Sequence, residues 1–139
     1  MLKKVFVDSV AWIALINKSD NFHEQSNEVK RQLENDKCNL ITTEFILLEV
    51  ANELSSPSIR DKVVRYINGL KHLSNLTIIK ANNELFQLGW LLYSKRLDKE
   101  WSLTDCISFV IMQRDGMTQA FTNDHHFEQA GFIKLIKEV

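Results

Sequence analysis

The chain has 139 residues, 45% of them hydrophobic and 25% charged, with a formal net charge of −1. That length buries a sufficient core as one domain, residues 1–139, without disulfides or a structural metal. A single Pro and four Gly argue against a long disordered linker, and the near-neutral charge leaves no broad basic surface for capturing nucleic acid, so any such binding must rely on local patches and metal ions.

Residues 5–7, Val-Phe-Val, form a short apolar run that stops at Asp8-Ser9 and reads as a buried strand. Residues 10–16 read as a helix that Asp8 or Ser9 is suited to cap. A polar bend leads to a second helix, about residues 22–34, rich in Glu, Gln and Lys. Residues 38–42 read as a second strand. Residues 44–54 are helical, with Ile46, Leu47, Val50, Ala51 and Leu54 on one face. Ser55-Ser56-Pro57 breaks that helix, and Pro57 suits the opening of the next, about residues 58–71, whose apolar stripe is Val63, Val64, Ile67 and Leu70. A third strand (residues 76–79) and a long helix (82–96) follow. A loop with Asp98 and Trp101 then precedes residues 103–114, which are apolar almost all round and so predict a buried helix. After Asp115-Gly116 come a fourth strand (118–121), a short helical segment through Phe127, and a last strand (132–135). Strands alternating with helices predict a three-layer α/β/α sandwich with a mostly parallel sheet of four or five strands.

In such sheets ligands bind beyond the carboxyl ends of the strands. Asp8 directly follows the first strand and Asp124 lies just past the fourth. Glu49 sits on the helix after the second strand, at the edge of its apolar stripe, and Asp105 lies in the first turn of the buried helix. Each has a bland alternative. Asp8 and Asp124 suit helix capping, and Asp105 gains from the helix dipole wherever it points. Together the bland account weakens, because carboxylates converging on a partly desolvated cleft repel unless a cation balances them. A hard divalent ion with oxygen ligands, Mg²⁺ or Mn²⁺, suits this set better than zinc. His23, His72, His125 and His126 are scattered or adjacent in the sequence and read as surface or supporting residues. Cys38 and Cys106 sit in apolar surroundings, read as reduced buried thiols, and match no zinc module. With no signal peptide and no apolar run of membrane-spanning length, a cytoplasmic protein is expected.

Four stretches carry a family resemblance: VFVDSVAWIAL, TTEFILLEVANEL, WSLTDCISFVIM and FTNDHHFEQAGF. In this order, spanning nearly the whole chain, they resemble the PIN-domain nucleases, and more narrowly the bacterial toxin-like (VapC-type) branch. The resemblance implies a metal-dependent endoribonuclease in which Asp8, Glu49, Asp105 and Asp124 are the acidic residues that bind metal and carry out catalysis. Ser9 and Thr104 match hydroxyl positions beside the acids, Asn123 adjoins the fourth, and Asp98 ranks below them. It implies Asp8 and Asp105 on the principal Mg²⁺ (or Mn²⁺), with Glu49 and Asp124 completing its ligands or helping to hold a second ion, and Glu49 as proton acceptor. Cleavage would leave a 5′-phosphate and a 3′-hydroxyl. An antitoxin protein with a helix in an apolar groove, an RNA substrate and a homodimer are the implied partners. A housekeeping RNA-processing nuclease is the alternative role, and a non-catalytic binding module a further one. Lys95, Arg96 and Lys99, or Arg60, Lys62 and Arg65, are either phosphate contacts or solvated helix faces. Trp101 either stacks on a base or anchors its loop. A receiver-type signalling domain wants an acidic pair after the first strand and an Asp after the third, where this chain has Asp8-Ser9 and Lys80. A haloacid-dehalogenase-type phosphatase wants a second Asp at position 10, which is Val10.

Overall fold

The computed structural model describes residues 2–137, so Met1, Glu138 and Val139 of the expected domain lie outside the described residues. Five strands form one sheet: β1 (Lys4–Val7), β2 (Asn39–Thr43), β3 (Leu76–Ile79), β4 (Gln119–Phe121) and β5 (Ile133–Lys134). Their order is β3-β2-β1-β4-β5, and every neighbouring pair is parallel. The expectation of a mostly parallel sheet is met in full, because helical crossovers link each strand to the next. Central β1 places Phe6 between Ile41 of β2 and Ala120 of β4. Val5, Phe6 and Val7 are completely buried, as suits a strand covered on both faces.

Helices α1 (Ser9–Ile16), α2 (His23–Asn35), α3 (Glu44–Glu53) and α4 (Pro57–Leu70) lie in the first two crossovers, and α1 packs against the other three. Helices α5 (Asn83–Lys95), α6 (Leu103–Arg114) and α7 (His125–Gln129) follow β3 and β4. There α6 packs against both α5 and α7. The chain runs outward from β1 to β3, then back across to β4 and β5. Right-handed crossovers therefore put α1–α4 on one face and α5–α7 on the other, the three-layer α/β/α arrangement.

The predicted elements are present, with end shifts of one or two residues. Two apolar positions differ. Ala51 and Val64 are exposed, because the inward faces of α3 and α4 centre on the 46-50-54 and 63-67-70 rows, with Leu47 and Tyr66 at their edges. Helix α6 buries seven residues, among them Ile107, Phe109, Ile111 and Met112, as its composition predicts. Cys38 and Cys106 are free and buried. Among the described residues no helix is long and apolar enough to cross a membrane.

Candidate active site

The sheet order reverses beside β1, where the chain's first three strands extend one way and its last two the other. The carboxyl ends of β1 and β4 flank that switch point, the usual site of ligand binding in open parallel sheets. Asp8 follows β1 and is 2% exposed. It occupies the N-cap position of α1, yet its side chain makes no capping hydrogen bond. Its carboxylate instead accepts a hydrogen bond from the Thr122 hydroxyl just past β4 (2.8 Å), and its N–H donates to the carbonyl of Phe121 (3.2 Å). The capping role expected for Asp8 is thus lost to the neighbouring strand end, which fixes the carboxylate toward the cleft.

Glu49 is half-buried on α3, which packs on α1. Thr43 starts that helix by accepting a hydrogen bond from the Ile46 N–H (3.0 Å). Packing then brings Glu49 to Ser9, whose hydroxyl donates to its carboxylate at 2.5 Å. On the opposite layer, Asp105 is 7% exposed in the first turn of α6. Ser102 and Asp105 form a reciprocal capping box. The Ser102 hydroxyl accepts from the Asp105 N–H at 3.0 Å, and the Asp105 carboxylate accepts from the Ser102 N–H at 3.2 Å. Asp124 caps α7 by accepting from the His126 N–H at 2.9 Å, the alternative its sequence position offered. Its own N–H donates to the Thr122 hydroxyl (3.1 Å), so one threonine ties Asp8 to the Asp124 loop.

Two of the acids, Asp8 and Asp105, are perturbed by burial and by neighbouring carboxylates. Burial pushes the Asp8 carboxyl up to about 7, against the pull of the Thr122 hydroxyl, and the charges of Asp105 and Glu49 add to the rise. Burial also raises Asp105, helped by the charge of Asp124 and opposed by the Ser102 N–H and His126. Among the described residues no Lys or Arg pairs with any of the four; only His125 and His126 stand within ion-pair distance of Asp105 and Asp124. Buried oxygen donors whose proton affinity is raised by burial and neighbouring carboxylates, with no Lys or Arg paired to them among the described residues, fit a hard divalent ion.

His126 is the residue that sequence reasoning undervalued. Its Nδ1 lies 3.2 Å from Asp105 and 3.4 Å from Asp124. A supporting role was open to it from sequence, but its place between two acids of different elements depends on how α6 meets α7. Ser102, read as loop, and Thr122, read as a strand end, are the other omissions; the Ser-x-x-Asp spacing of residues 102–105 was the available signal for the first. Ser9 has the expected place beside an acid. Thr104 is half-buried with no side-chain hydrogen bond described, and Asn123 meets Lys134 through its carbonyl (3.4 Å). Asp98 pairs with Arg96 at 3.0 Å and belongs to an exposed loop. Trp101 is an anchor: it is buried, meets Phe109 edge-on and donates to Gln129 (3.0 Å). Arg96 stacks over Trp101, Arg60 binds the carbonyl of Ser55, and Arg65 pairs with Asp61, so these three cations are engaged within the fold.

The PIN domain family model matches residues 5–133. The chain is 27% identical over 135 residues to the 23S rRNA-specific endonuclease VapC20 of Mycobacterium tuberculosis, covering 96% of this chain and 99% of that protein. The crystal structure of that VapC20, described as a sarcin-ricin loop cleaving toxin, superposes with a TM-score of 0.80 at 23% identity, covering 93% of this chain and 96% of the other. The DNA-bound VapBC of Salmonella typhimurium superposes with a TM-score of 0.68 at 12% identity, over 96% of this chain and 97% of the other.

Proposed function

The chain belongs to the PIN-domain family, and from that premise we propose that it is a divalent-metal-dependent endoribonuclease, the toxin of a toxin–antitoxin pair in the cytoplasm. Residues 1–139 act as one nuclease domain. The observation that carries this reading is the group of Asp8, Asp105, Glu49 and Asp124, in which burial and neighbouring carboxylates raise the proton affinity of Asp8 and Asp105 and, among the described residues, no Lys or Arg pairs with any of the four.

Asp8 and Asp105 would hold the principal Mg²⁺ or Mn²⁺, with Glu49 and Asp124 completing its ligands or helping to hold a second ion. Bound there, the ion lowers the pKa of water and neutralises phosphate oxygens. Glu49 is the proton acceptor: it is half-buried, has no cation partner among the described residues, and is oriented by the Ser9 hydroxyl. Thr122 and Ser102 hold the two buried acids in place through the contacts already given. Water attack leaves a 5′-phosphate and a 3′-hydroxyl.

A relative named as a 23S rRNA-specific endonuclease makes ribosomal RNA the first substrate to test. The VapBC complex among the similar structures supports an antitoxin partner. An apolar groove of about 460 Å³, lined by Trp12, Leu15, Tyr66, Leu70 and Leu73, is the seat for its helix. A second copy of the chain would cover the exposed Phe86, Trp90 and Leu91 of α5.

The test is cleavage of ribosomal RNA by the purified chain with Mg²⁺ or Mn²⁺, with chelator, and as Asp8→Asn and Asp105→Asn variants. The expected result is metal-dependent cleavage that both substitutions abolish. Cleavage that persists in chelator, or in both variants, rejects the reading.

A further inference from the structure

Beside the Asp8-centred cleft stands a second group of ligand atoms of different chemistry. One carboxylate oxygen of Asp124 and a ring nitrogen each of His125 and His126 all lie within 4.8 Å of one another. The separations are 3.4 Å from Asp124 to His126 and 3.7 Å from Asp124 to His125, and the two imidazoles are neighbours with centroids 4.4 Å apart and planes tilted by 50°. Two donors bonded at about 2.1 Å to one ion stand about 3.4 Å apart if the ion is tetrahedral, and about 3.0 Å apart if it is octahedral. The two spacings from Asp124 lie nearer the tetrahedral value.

The setting is also built rather than incidental. Asp124 is fixed by two hydrogen bonds, one from the His126 N–H and one from its own N–H to Thr122. His126 is held over Asp105 at 3.2 Å, with its side chain 19% exposed. His125 is the exposed member, so an ion has a route in from solvent. A ring nitrogen lying between two carboxylate oxygens is favourable only with a cation between them, either its own proton or a metal ion.

We propose that Asp124, His125 and His126 form a binding site for a zinc-class divalent transition-metal ion, separate from the oxygen-only position centred on Asp8. Two imidazoles and one carboxylate favour zinc over magnesium, which takes oxygen ligands in near-ideal octahedral geometry. Three protein donors leave a fourth position open on the cleft side, where Asp105 borders the site. The proposal rests on the nuclease reading only in sharing Asp124 with it, because the donor set stands on its own geometry.

The experiment uses the full chain stripped of metal by chelation. Zn²⁺ is titrated in competition with a chromophoric chelator, and Co²⁺ serves as the visible-absorption probe. The expected result is one tight equivalent of Zn²⁺ per chain, undiminished by a hundredfold excess of Mg²⁺. His125→Gln, at an exposed position, weakens binding at least about tenfold, and the His125→Ala/His126→Ala pair removes the Co²⁺ band. Asp8→Asn leaves Zn²⁺ affinity unchanged. Thermal melting in chelator verifies that each variant is folded. Equal Zn²⁺ affinity in wild type and His125→Gln overturns the proposal, as does an equal loss in Asp8→Asn, which would put the ion on the acids alone. RNA cleavage in Mg²⁺ is measured in parallel. Zinc binding without cleavage rejects the nuclease reading alone, and cleavage without zinc binding rejects this site alone.

Discussion

Asp8 is costly where it stands. A carboxylate with 2% exposure, raised in proton affinity by its burial and by two neighbouring acids, detracts from the stability of the metal-free chain at neutral pH. Asp8→Asn keeps the shape and an acceptor for the Thr122 hydroxyl while removing the charge. It should lower cleavage at least about a hundredfold and at the same time raise the metal-free melting temperature at pH 8. Paired cleavage and melting measurements check this, and a variant that loses both activity and stability would mark Asp8 as a structural residue instead. Ser9 allows a milder test. Its hydroxyl is the one hydrogen-bond donor described for the Glu49 carboxylate, at 2.5 Å. Ser9→Ala should therefore reduce the cleavage rate at saturating metal by roughly tenfold, because the Glu49 side chain loses its orienting donor but stays in place. Initial rates across a metal titration separate this from a loss of metal affinity.

The elements carry the acids, so their ends and contacts matter to the site. Helix α6 begins with the Ser102–Asp105 capping box, which satisfies a helix N–H and aims the Asp105 carboxylate at once. Ser102→Ala should cost about 1 kcal/mol in urea unfolding and slow cleavage only modestly, since it removes the hydroxyl that accepts from the Asp105 N–H but keeps the Ser102 N–H that reaches the carboxylate of this proposed metal ligand. The position of α6 against α5 depends on Gly89. A Cβ there would fall 2.3 Å from Cγ1 of Ile107 and 3.2 Å from its backbone, and a β-branched side chain in a buried helix has little freedom to move aside. Gly89→Ala should therefore destabilise the chain by about 1–3 kcal/mol, despite alanine's better helix propensity. Urea denaturation at equilibrium gives the sign directly, and a neutral or stabilising result would show that the two helices separate at little cost.

At the scale of the whole molecule, local signals made most of the fold legible. The Val5-Phe6-Val7 run ending at Asp8, the Pro57 helix start and the all-apolar residues 103–114 each declared an element in its own stretch of chain. Position beyond strand ends singled out Asp8 and Asp124, while Glu49 at the edge of an apolar stripe and Asp105 in a helix first turn joined them through the family resemblance. What stayed hidden was pairwise and long-range: the Thr122 hydroxyl on Asp8, 114 residues away, and the His126 ring between Asp105 and Asp124. Those contacts exist only once β4 lies beside β1 and α7 meets α6, and no local pattern encodes them. The same assembly makes stability depend on pH in an unusual direction. In the metal-free folded chain Asp8 keeps its proton up to about 7, whereas unfolded it releases it near the ordinary 3.8. Between those values the folded state binds the extra proton. This group's stabilisation is therefore complete below about 3.8 and is lost as pH rises through about 7. Asp105, raised by burial and by Asp124, acts with the same sign. Metal-free protein should then melt at least about 5 °C lower at pH 8 than at pH 5.5, the reverse of the common case in which paired carboxylates gain from deprotonation. Asp8→Asn should flatten that slope. On the proposed reading Mg²⁺ would bind the deprotonated acids, so it should raise the melting temperature more at pH 8 than at pH 5.5. Melting curves of wild type and Asp8→Asn at the two pH values, each with chelator and with Mg²⁺, decide the matter. A metal-free chain that is more stable at pH 8, with a slope unchanged by the substitution, would show that the four acids do not strain one another in the folded state.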